Sequence, residues 1–366
     1  MAEIRVETLH KAFADFTAVR DSTFTIRDGD FFCLLGPSGC GKTTTLRMIA
    51  GLELPTSGRI LLGGEDVTFK QASRRDIAFV FQLFALYPHM SVRSNIAYPL
   101  RCQGMPRAEV DRRVEDAAKI LRITQLLPRS VSGLSSGDRQ RVALGRAIVR
   151  EPAAFLLDEP LGALDAEFRE LMCDELRALH DRLHATTVYV THDQLEAMAM
   201  ADTIALMNDG VVEQVGSPQE IYDRPKSMFA AGFIGSPPMN FIPFRGRLLP
   251  GDKCVHAGEA AIEIPEAREG TPEADLMLGA RPEHVRLSAS APLRASVVEA
   301  EYLGTNQIVT LVTSQGTLVK ARVPSEVRAR PGETTGLEFR SGKLSLFHRA
   351  SGRVLRSALH ERVAHG

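Results

Sequence analysis

The sequence predicts an α/β core interrupted by a helical lobe and followed by a small all-β domain. Strand-length apolar runs, FFCLL, DIAFVF, AAFLL, TTVYVT and TIALM, alternate with helix-period segments, the pattern of a buried sheet with helices on its faces. Between about Ala85 and Arg150 the strand pattern stops, and Val110, Val114, Ala117 and Leu121 recur at helical spacing in AEVDRRVEDAAKIL. After SPPMN, residues 236–240, the texture turns short and alternating, with a hairpin expected in QIVTLVTSQGTLVKARV around Ser314 to Gly316. A chain of 366 residues is long for one core, so two domains are expected, 1–235 and 236–366, with a helical subdomain at about 85–150.

The elements follow in order. IRVETL and AVRDSTFTIR read as strands, and a DGD turn at Asp28 to Asp30 leads into FFCLL. A glycine-rich loop and the helix KTTTLRMIAG come next. No internal repeat is visible, and the tail after Ser351 is expected to fray.

Composition narrows the function classes. Basic and acidic residues nearly cancel, 44 against 45, without like-charge blocks, so no electrostatic footprint for nucleic acid is present. Cysteines 33, 40, 102, 173 and 254 are scattered and lack CxxC spacing, which favours a reducing compartment and argues against zinc. MAEIRVETLH lacks the basic head and apolar core of a signal peptide, and the apolar runs fall short of the roughly twenty residues of a membrane span. Any membrane role is expected to be peripheral.

GPSGCGKT, Gly36 to Thr43, satisfies G-x-x-x-x-G-K-[ST] between an apolar strand and a helix. Backbone N–H groups of such a loop ring a phosphate, Lys42 reaches β and γ oxygens, and Thr43 can ligate Mg²⁺. Cys40 is expected to point away from phosphate. AAFLLDEP places Asp158 and Glu159 at the carboxyl edge of the sheet, where α/β folds bind ligands, although acids after an apolar strand are also ordinary turn residues. Beside a P-loop, Asp158 becomes an expected Mg²⁺ ligand and Glu159 a candidate to polarise water. His192 ends TTVYVTHD and Gln82 ends DIAFVFQ in the same way; each in isolation is equally a plain polar residue. Phe13 in KAFADF can stack on a purine or simply pack with Phe16. In LSSGDRQRV, Ser135, Ser136, Gly137 and Asp138 open a helix-period segment whose free N–H groups suit either a phosphate or a helix cap.

The order of these pieces resembles the nucleotide-binding subunits of ABC transporters along the whole chain. Gly36, Pro37, Ser38, Gly39, Cys40, Gly41, Lys42 and Thr43, with Thr44, look like the Walker A loop; Leu156 to Glu159 look like Walker B. Gln82 resembles the Q-loop glutamine, Leu134 to Asp138 the signature, Leu161 to Asp165 the D-loop, His192 the switch histidine and Phe13 the adenine-stacking aromatic. GVVEQVGSPQEIYDRPKSMFAAGFIGSPPMNF narrows the match to the maltose-type branch, importers of sugars, polyols or glycerol phosphates, and GARPEHVRL looks like that branch's regulatory OB-type domain.

The resemblance implies an α/β P-loop ATPase core with an inserted helical subdomain and an all-β OB-like C-terminal domain. It implies ATP and Mg²⁺, the metal held by Thr43, Gln82 and Asp158. Glu159 would orient water, His192 would hold the γ-phosphate side and Gln82 would sense the metal. Two subunits would close head to tail, Ser135, Ser136, Gly137 and Asp138 acting on the partner's ATP with Asp165 nearby. The implied partners are transmembrane permease subunits docking near LFALYPHM, a periplasmic or extracellular solute-binding protein, and a second ATPase subunit, identical or a paralogue. The implied location is peripheral, on the cytoplasmic face of the inner membrane.

Two departures stand out. Ser136 and Asp138 replace a glycine and a glutamine of the usual signature, and Gly162 and Ala163 replace the usual serine and asparagine of the D-loop. A carboxylate about 5 Å from one phosphate charge costs roughly 3 kcal/mol at an effective dielectric of 20, so Asp138 is expected to turn along its own helix and pair with Arg141. Because both departures face the partner's nucleotide, a heterodimer with a different ATPase subunit is the expectation. The rivals are a non-transport ABC-type regulatory ATPase and a P-loop small-molecule kinase. Oligonucleotide binding by the OB-type domain is disfavoured, because residues 241–348 lack a basic face interleaved with aromatics.

Overall fold

The computed structural model describes residues 2–162, 164 and 166–361, and the chain divides into two compact units, Met1–Pro218 and Gln219–Gly366. The first unit opens on β1 (Ile4–Ala12), β2 (Thr17–Ile26) and β3 (Phe31–Leu35), followed by α1 (Lys42–Ala50), β4 (Ser57–Leu62) and β5 (Glu65–Asp66). β1 and β2 pair antiparallel, and β4 and β5 extend them into a sheet of order β2-β1-β4-β5. Ile4 and Val6 face inside as the period-2 pattern of IRVETL dictates, and a bulge at Thr8, φ 44°, shifts the phase so that Leu9 is buried as well.

β3 has every residue buried, as its unbroken apolar run requires, and it lies at the heart of a second sheet. That sheet collects β6 (Ile77–Val80), β7 (Ala154–Asp158), β8 (Thr186–Thr191), β9 (Thr203–Asn208) and β10 (Val211–Gly216) in the order β10-β9-β3-β8-β7-β6. All neighbours run parallel except β10, which pairs antiparallel with β9. The carboxyl ends of β3, β8, β7 and β6 therefore stand side by side. These are the ends that carry the glycine-rich loop, His192, Asp158 with Glu159, and Gln82.

Between β6 and β7 lie α2 (Val92–Cys102), α3 (Arg107–Ile120) and α4 (Ser136–Ile148), the helical lobe expected from the sequence. Val110, Val114, Ala117 and Leu121 are buried along one side of α3 and its C-cap. α5 (Ala166–Leu183) and α6 (Gln194–Met200) complete the unit. Buried Arg75 closes the C-terminus of α1 by donating to the Met48 and Ile49 carbonyls at 2.7 Å each, a clamp no local pattern announced.

α7 (Pro218–Asp223) leads into the second unit, which holds α8 (Met228–Phe233), β11 (Asn240–Leu248), β12 (Cys254–Ala257), β13 (Ala260–Glu263) and β14 (Thr271–Ala280). β15 (Val285–Ser288), β16 (Leu293–Tyr302), β17 (Asn306–Thr313), β18 (Leu318–Pro324), β19 (Thr334–Phe339), β20 (Ser345–His348) and β21 (Val354–Leu355) follow. They form a sheet β11-β14-β20-β21, a hairpin β12-β13 and a sheet β15-β19-β16-β17-β18, around one apolar core that includes Ile242, Leu278, Val309 and Leu346. The expected hairpin turns between β17 and β18, with Gly316 at φ 79° and its N–H donating to the Thr313 carbonyl at 2.9 Å.

Two sequence expectations need correction. Residues 219–235 pack with the second unit, not the first, because buried Arg281 donates to the carbonyls of Tyr222 at 2.7 Å and Ala231 at 3.1 Å and lies 4.0 Å over the Tyr222 ring. The tail after Ser351 is ordered as far as Glu361. β21 pairs with β20, and the Arg268 N–H donates to the Arg356 carbonyl at 2.9 Å. A short edge strand needs only a partner's free backbone groups, which a hydropathy pattern does not report.

Candidate functional site

The glycine-rich loop is shaped by close backbone approach. A side chain at Gly41, φ 98°, would place its Cβ 2.3 Å from the Ala18 carbonyl oxygen at the start of β2, so only glycine fits. Pro37 and Thr44 are half-buried, Ser38 and Gly39 are exposed on the lip, and Gly36 is buried. Cys40 is buried in the core behind the loop, its thiol pushed up by that burial, with Sγ 3.8 Å from Lys42 Nζ. Lys42 is folded onto its own loop, donating to the Gly36 and Pro37 carbonyls at 2.8 Å each.

Thr43 lies in the first turn of α1, and its hydroxyl donates to Asp158 Oδ1 at 3.0 Å. Burial raises the Asp158 carboxyl above the ordinary range, against the lowering effect of Thr43 and of Arg47. A hydroxyl, a carboxylate and the Gln82 amide are all oxygen donors, the set a hard divalent cation takes alongside phosphate oxygens, so these residues fit Mg²⁺.

Glu159 stands one residue beyond, in the left-handed region at φ 43°, held there by its N–H donating to the Val190 carbonyl at 3.1 Å. Its Oε2 lies 3.4 Å from His192 Nδ1. Gly162 leaves a gap between two candidate groups: a Cβ there would lie 4.0 Å from both Gln82 Nε2 and Glu159 Oε2. The structure thus brings Thr43, Asp158, Glu159, His192 and Gln82 to one edge. Asp165 and Ala163 lie outside the described residues.

Phe13 belongs to the turn after β1, stacked on Phe16 at 5.3 Å between centroids, with Lys11 Nζ 4.8 Å from its ring. Both rings keep solvent-exposed surface, and the turn runs directly into the β2 residues that touch the glycine-rich loop.

The LSSGD stretch proves to be a capped helix start. Ser135 is the N-cap of α4, its hydroxyl accepting the Asp138 N–H at 3.2 Å and donating to Asp138 Oδ2 at 2.8 Å. Asp138 Oδ1 is 3.6 Å from Arg141 Nη1, the pairing expected from the sequence, and Arg141 continues to Glu175 on α5 through two contacts of 3.1 Å. The other carboxylate oxygen accepts from the Ser135 hydroxyl, so both oxygens are engaged along the helix's own start. Ser136 is exposed, and buried Gly137 lies against Phe168 of α5. Phe168 and Glu175 were not anticipated; they lie far along the chain from the signature, outside any motif.

Comparison with known proteins decides the family. The family described as ABC transporter matches residues 19–162, the MalK OB fold domain matches 235–285 and the TOBE domain matches 278–347. The trehalose/maltose import ATP-binding protein MalK of Thermococcus litoralis is 46% identical over 97% of this chain and 100% of its own. The chain belongs to the ATP-binding subunits of ABC transporters. The sn-glycerol-3-phosphate import ATP-binding protein UgpC of Cereibacter sphaeroides is 45% identical over 97% of this chain and 100% of its own. Among solved structures, cbiO1 from Clostridium perfringens, part of the ABC transporter complex cbiONQ, matches with a TM-score of 0.57 and 28% identity over 60% of this chain and 90% of that one. The chain is thus an ABC-type ATPase with an OB/TOBE second unit, and ATP is its nucleotide.

Proposed function

We propose that this ATPase powers uptake of a sugar, polyol or glycerol phosphate, as one of a pair of nucleotide-binding subunits beneath two permease subunits. The observation that carries the catalytic part is the Glu159–His192 contact at 3.4 Å beside the Thr43–Asp158 bond at 3.0 Å, both bordering the glycine-rich loop. The solute class is supported by the MalK and UgpC relatives, named as trehalose/maltose and sn-glycerol-3-phosphate import ATP-binding proteins. No helix among the described residues is long and apolar enough to cross a membrane. The names of the import ATP-binding relatives support a peripheral place on the cytoplasmic face of the inner membrane, opposite a periplasmic or extracellular solute-binding protein.

ATP takes its place with the phosphates on the loop, and Lys42 leaves the Gly36 and Pro37 carbonyls for the β and γ oxygens. Phe13 offers a ring face to the adenine. Thr43, Asp158 and Gln82 would hold Mg²⁺, which offsets charge on the phosphates. Glu159 orients the attacking water and accepts its proton, while His192 steadies the γ-phosphate from the neighbouring strand end. The partner's α4 presents Ser135 and the N–H groups of Ser136 and Gly137 to the same phosphate.

In this reading the permease docks on the stretch after Gln82, beside the groove lined by Phe81, Tyr87, Tyr98 and Arg146; Leu83 in that stretch is 84% exposed. Arg146 supports that surface by donating to the Phe84 and Ala85 carbonyls at 2.9 and 2.7 Å. Purified complex in vesicles should hydrolyse ATP faster with the binding protein and one of maltose, trehalose or sn-glycerol 3-phosphate, and EDTA should abolish hydrolysis. Turnover indifferent to permease, solute and EDTA would reject the reading.

The Ser135–Asp138 bond supports a heterodimer, in which a paralogue supplies an unencumbered signature to one of the two sites. Replacing the charged acceptor by a neutral one weakens its hold on the hydroxyl by about 1 kcal/mol, a factor of about five. Asp138→Gln should therefore raise kcat of the assembled complex up to about fivefold. Unchanged or lower turnover in a phosphate-release assay counts against a weakened signature.

A further inference from the structure

We infer that Arg169 is a positioning residue for His192, joining the strand end that carries the histidine to the loop that follows Glu159. The inference rests on the reading of Glu159 and His192 given above.

The His192 side chain is 54% exposed, so packing does not hold the ring; its place is set by the backbone on either side. That backbone is pinned twice. On one side, the Thr191 hydroxyl donates to Glu196 Oε2 at 2.7 Å and accepts the Asp193 N–H at 3.0 Å. On the other, Asp193 caps α6, its Oδ1 accepting the Leu195 N–H at 2.8 Å. Both carboxylates answer to one guanidinium: Arg169 Nη1 lies 3.1 Å from Asp193 Oδ2, and Nε lies 3.6 Å from Glu196 Oε1. Its remaining nitrogen, Nη2, donates to the Leu164 carbonyl at 3.0 Å.

The planar fork therefore joins two segments, the loop between β7 and α5 and the start of α6, where it meets both the capping Asp193 and the buried Glu196. Glu196 is 5% exposed and also accepts from the Tyr189 hydroxyl at 2.7 Å, so this end of the frame is rigid. Without the guanidinium, two carboxylates flank the histidine's backbone with no cation between them, and the Leu164 carbonyl loses its donor. A lysine supplies the charge but cannot reproduce the fork. A displacement of about 1 Å at a reacting centre costs up to about a hundredfold in rate, whereas nucleotide contacts made by the glycine-rich loop and Phe13 are untouched.

Steady-state ATP hydrolysis and binding of a non-hydrolysable ATP analogue by the permease-assembled complex test this. Arg169→Ala should lower kcat roughly 10- to 100-fold with KM for ATP and analogue affinity within about twofold of wild type. Arg169→Lys should recover part of the loss. Asp193→Asn should lower kcat by itself, and the double variant Arg169→Ala/Asp193→Asn should be no slower than the worse single variant. A near-wild-type kcat in Arg169→Ala, a proportional loss of nucleotide affinity, or additive losses in the double variant would overturn the inference. If Arg169→Ala does not assemble, Arg169→Lys and Asp193→Asn decide by the same kcat-against-KM split. His192→Ala and Glu159→Gln run alongside: if both hydrolyse ATP normally the site reading fails, and if both are inactive while the Arg169 variants are normal only this inference fails.

Discussion

Glu159→Gln stops steady-state ATP hydrolysis while leaving nucleotide binding in place. The substitution is nearly isosteric, so the strand end, the bond from the Glu159 N–H to Val190 and the packing around them survive. What is lost is the carboxylate that accepts a proton from water and that faces His192 Nδ1 at 3.4 Å. Losing a positioned base removes roughly 10²- to 10⁴-fold in rate. Binding depends on other elements, the loop from Gly36 to Thr43 and the Thr43–Asp158 pair, so the affinity for a non-hydrolysable ATP analogue should match that of the unaltered protein. A phosphate-release assay beside an equilibrium binding measurement checks both halves. Hydrolysis above about a tenth of the unaltered rate would remove Glu159 from the proposed role.

Gly137→Ala is expected to be nearly as damaging, for a steric reason. Alanine is the better helix former by about 1 kcal/mol, so local propensity alone favours the change. The structure opposes it, because the new Cβ would lie 2.2 Å from Phe168 Cε1 and 2.8 Å from Cζ. Overpacking of this kind costs typically about 1–3 kcal/mol, more than propensity returns, and is relieved only by moving the ring or the start of α4. Moving α4 shifts Ser135 and the free N–H groups of its first turn, which face the partner's nucleotide in the proposed dimer.

ATP turnover should fall on the order of a hundredfold while the subunit's own glycine-rich loop binds nucleotide normally. Combining Gly137→Ala with Phe168→Leu should restore much of the activity by making room. Failure of that pair to recover, or wild-type turnover in Gly137→Ala alone, would show that the contact does not govern the signature.

Asp138 shows how far sequence reasoning reached and where it stopped. Helical spacing correctly paired it with Arg141, an i,i+3 neighbour, because that contact is set by helix geometry within four residues. Its second oxygen accepts from the Ser135 hydroxyl, a cap contact equally local in sequence, whereas the bond from Arg141 to Glu175 on another helix exists only in the folded chain. Likewise the apolar runs announced their strands, and the motifs announced Lys42, Thr43, Asp158 and Glu159, since period and loop chemistry are local. Arg169 carried no such signal: beyond the nearby Leu164 carbonyl, its partners Asp193 and Glu196 lie at the start of α6, more than twenty residues along the chain.

By itself the sequence determined the two-part architecture, the family and the residues proposed to border ATP, because hydropathy period, glycine spacing and motif order are written in consecutive residues. Only the tertiary structure decided that 219–235 join the second unit, that the chain from Ser351 to Glu361 packs on its neighbours, that Gly137 has no room for a methyl group and that Arg169 holds the helix start that follows His192. Each of these depends on groups brought together from distant positions, where the energy lies in contacts and hydrogen bonds that exist only once the chain has folded.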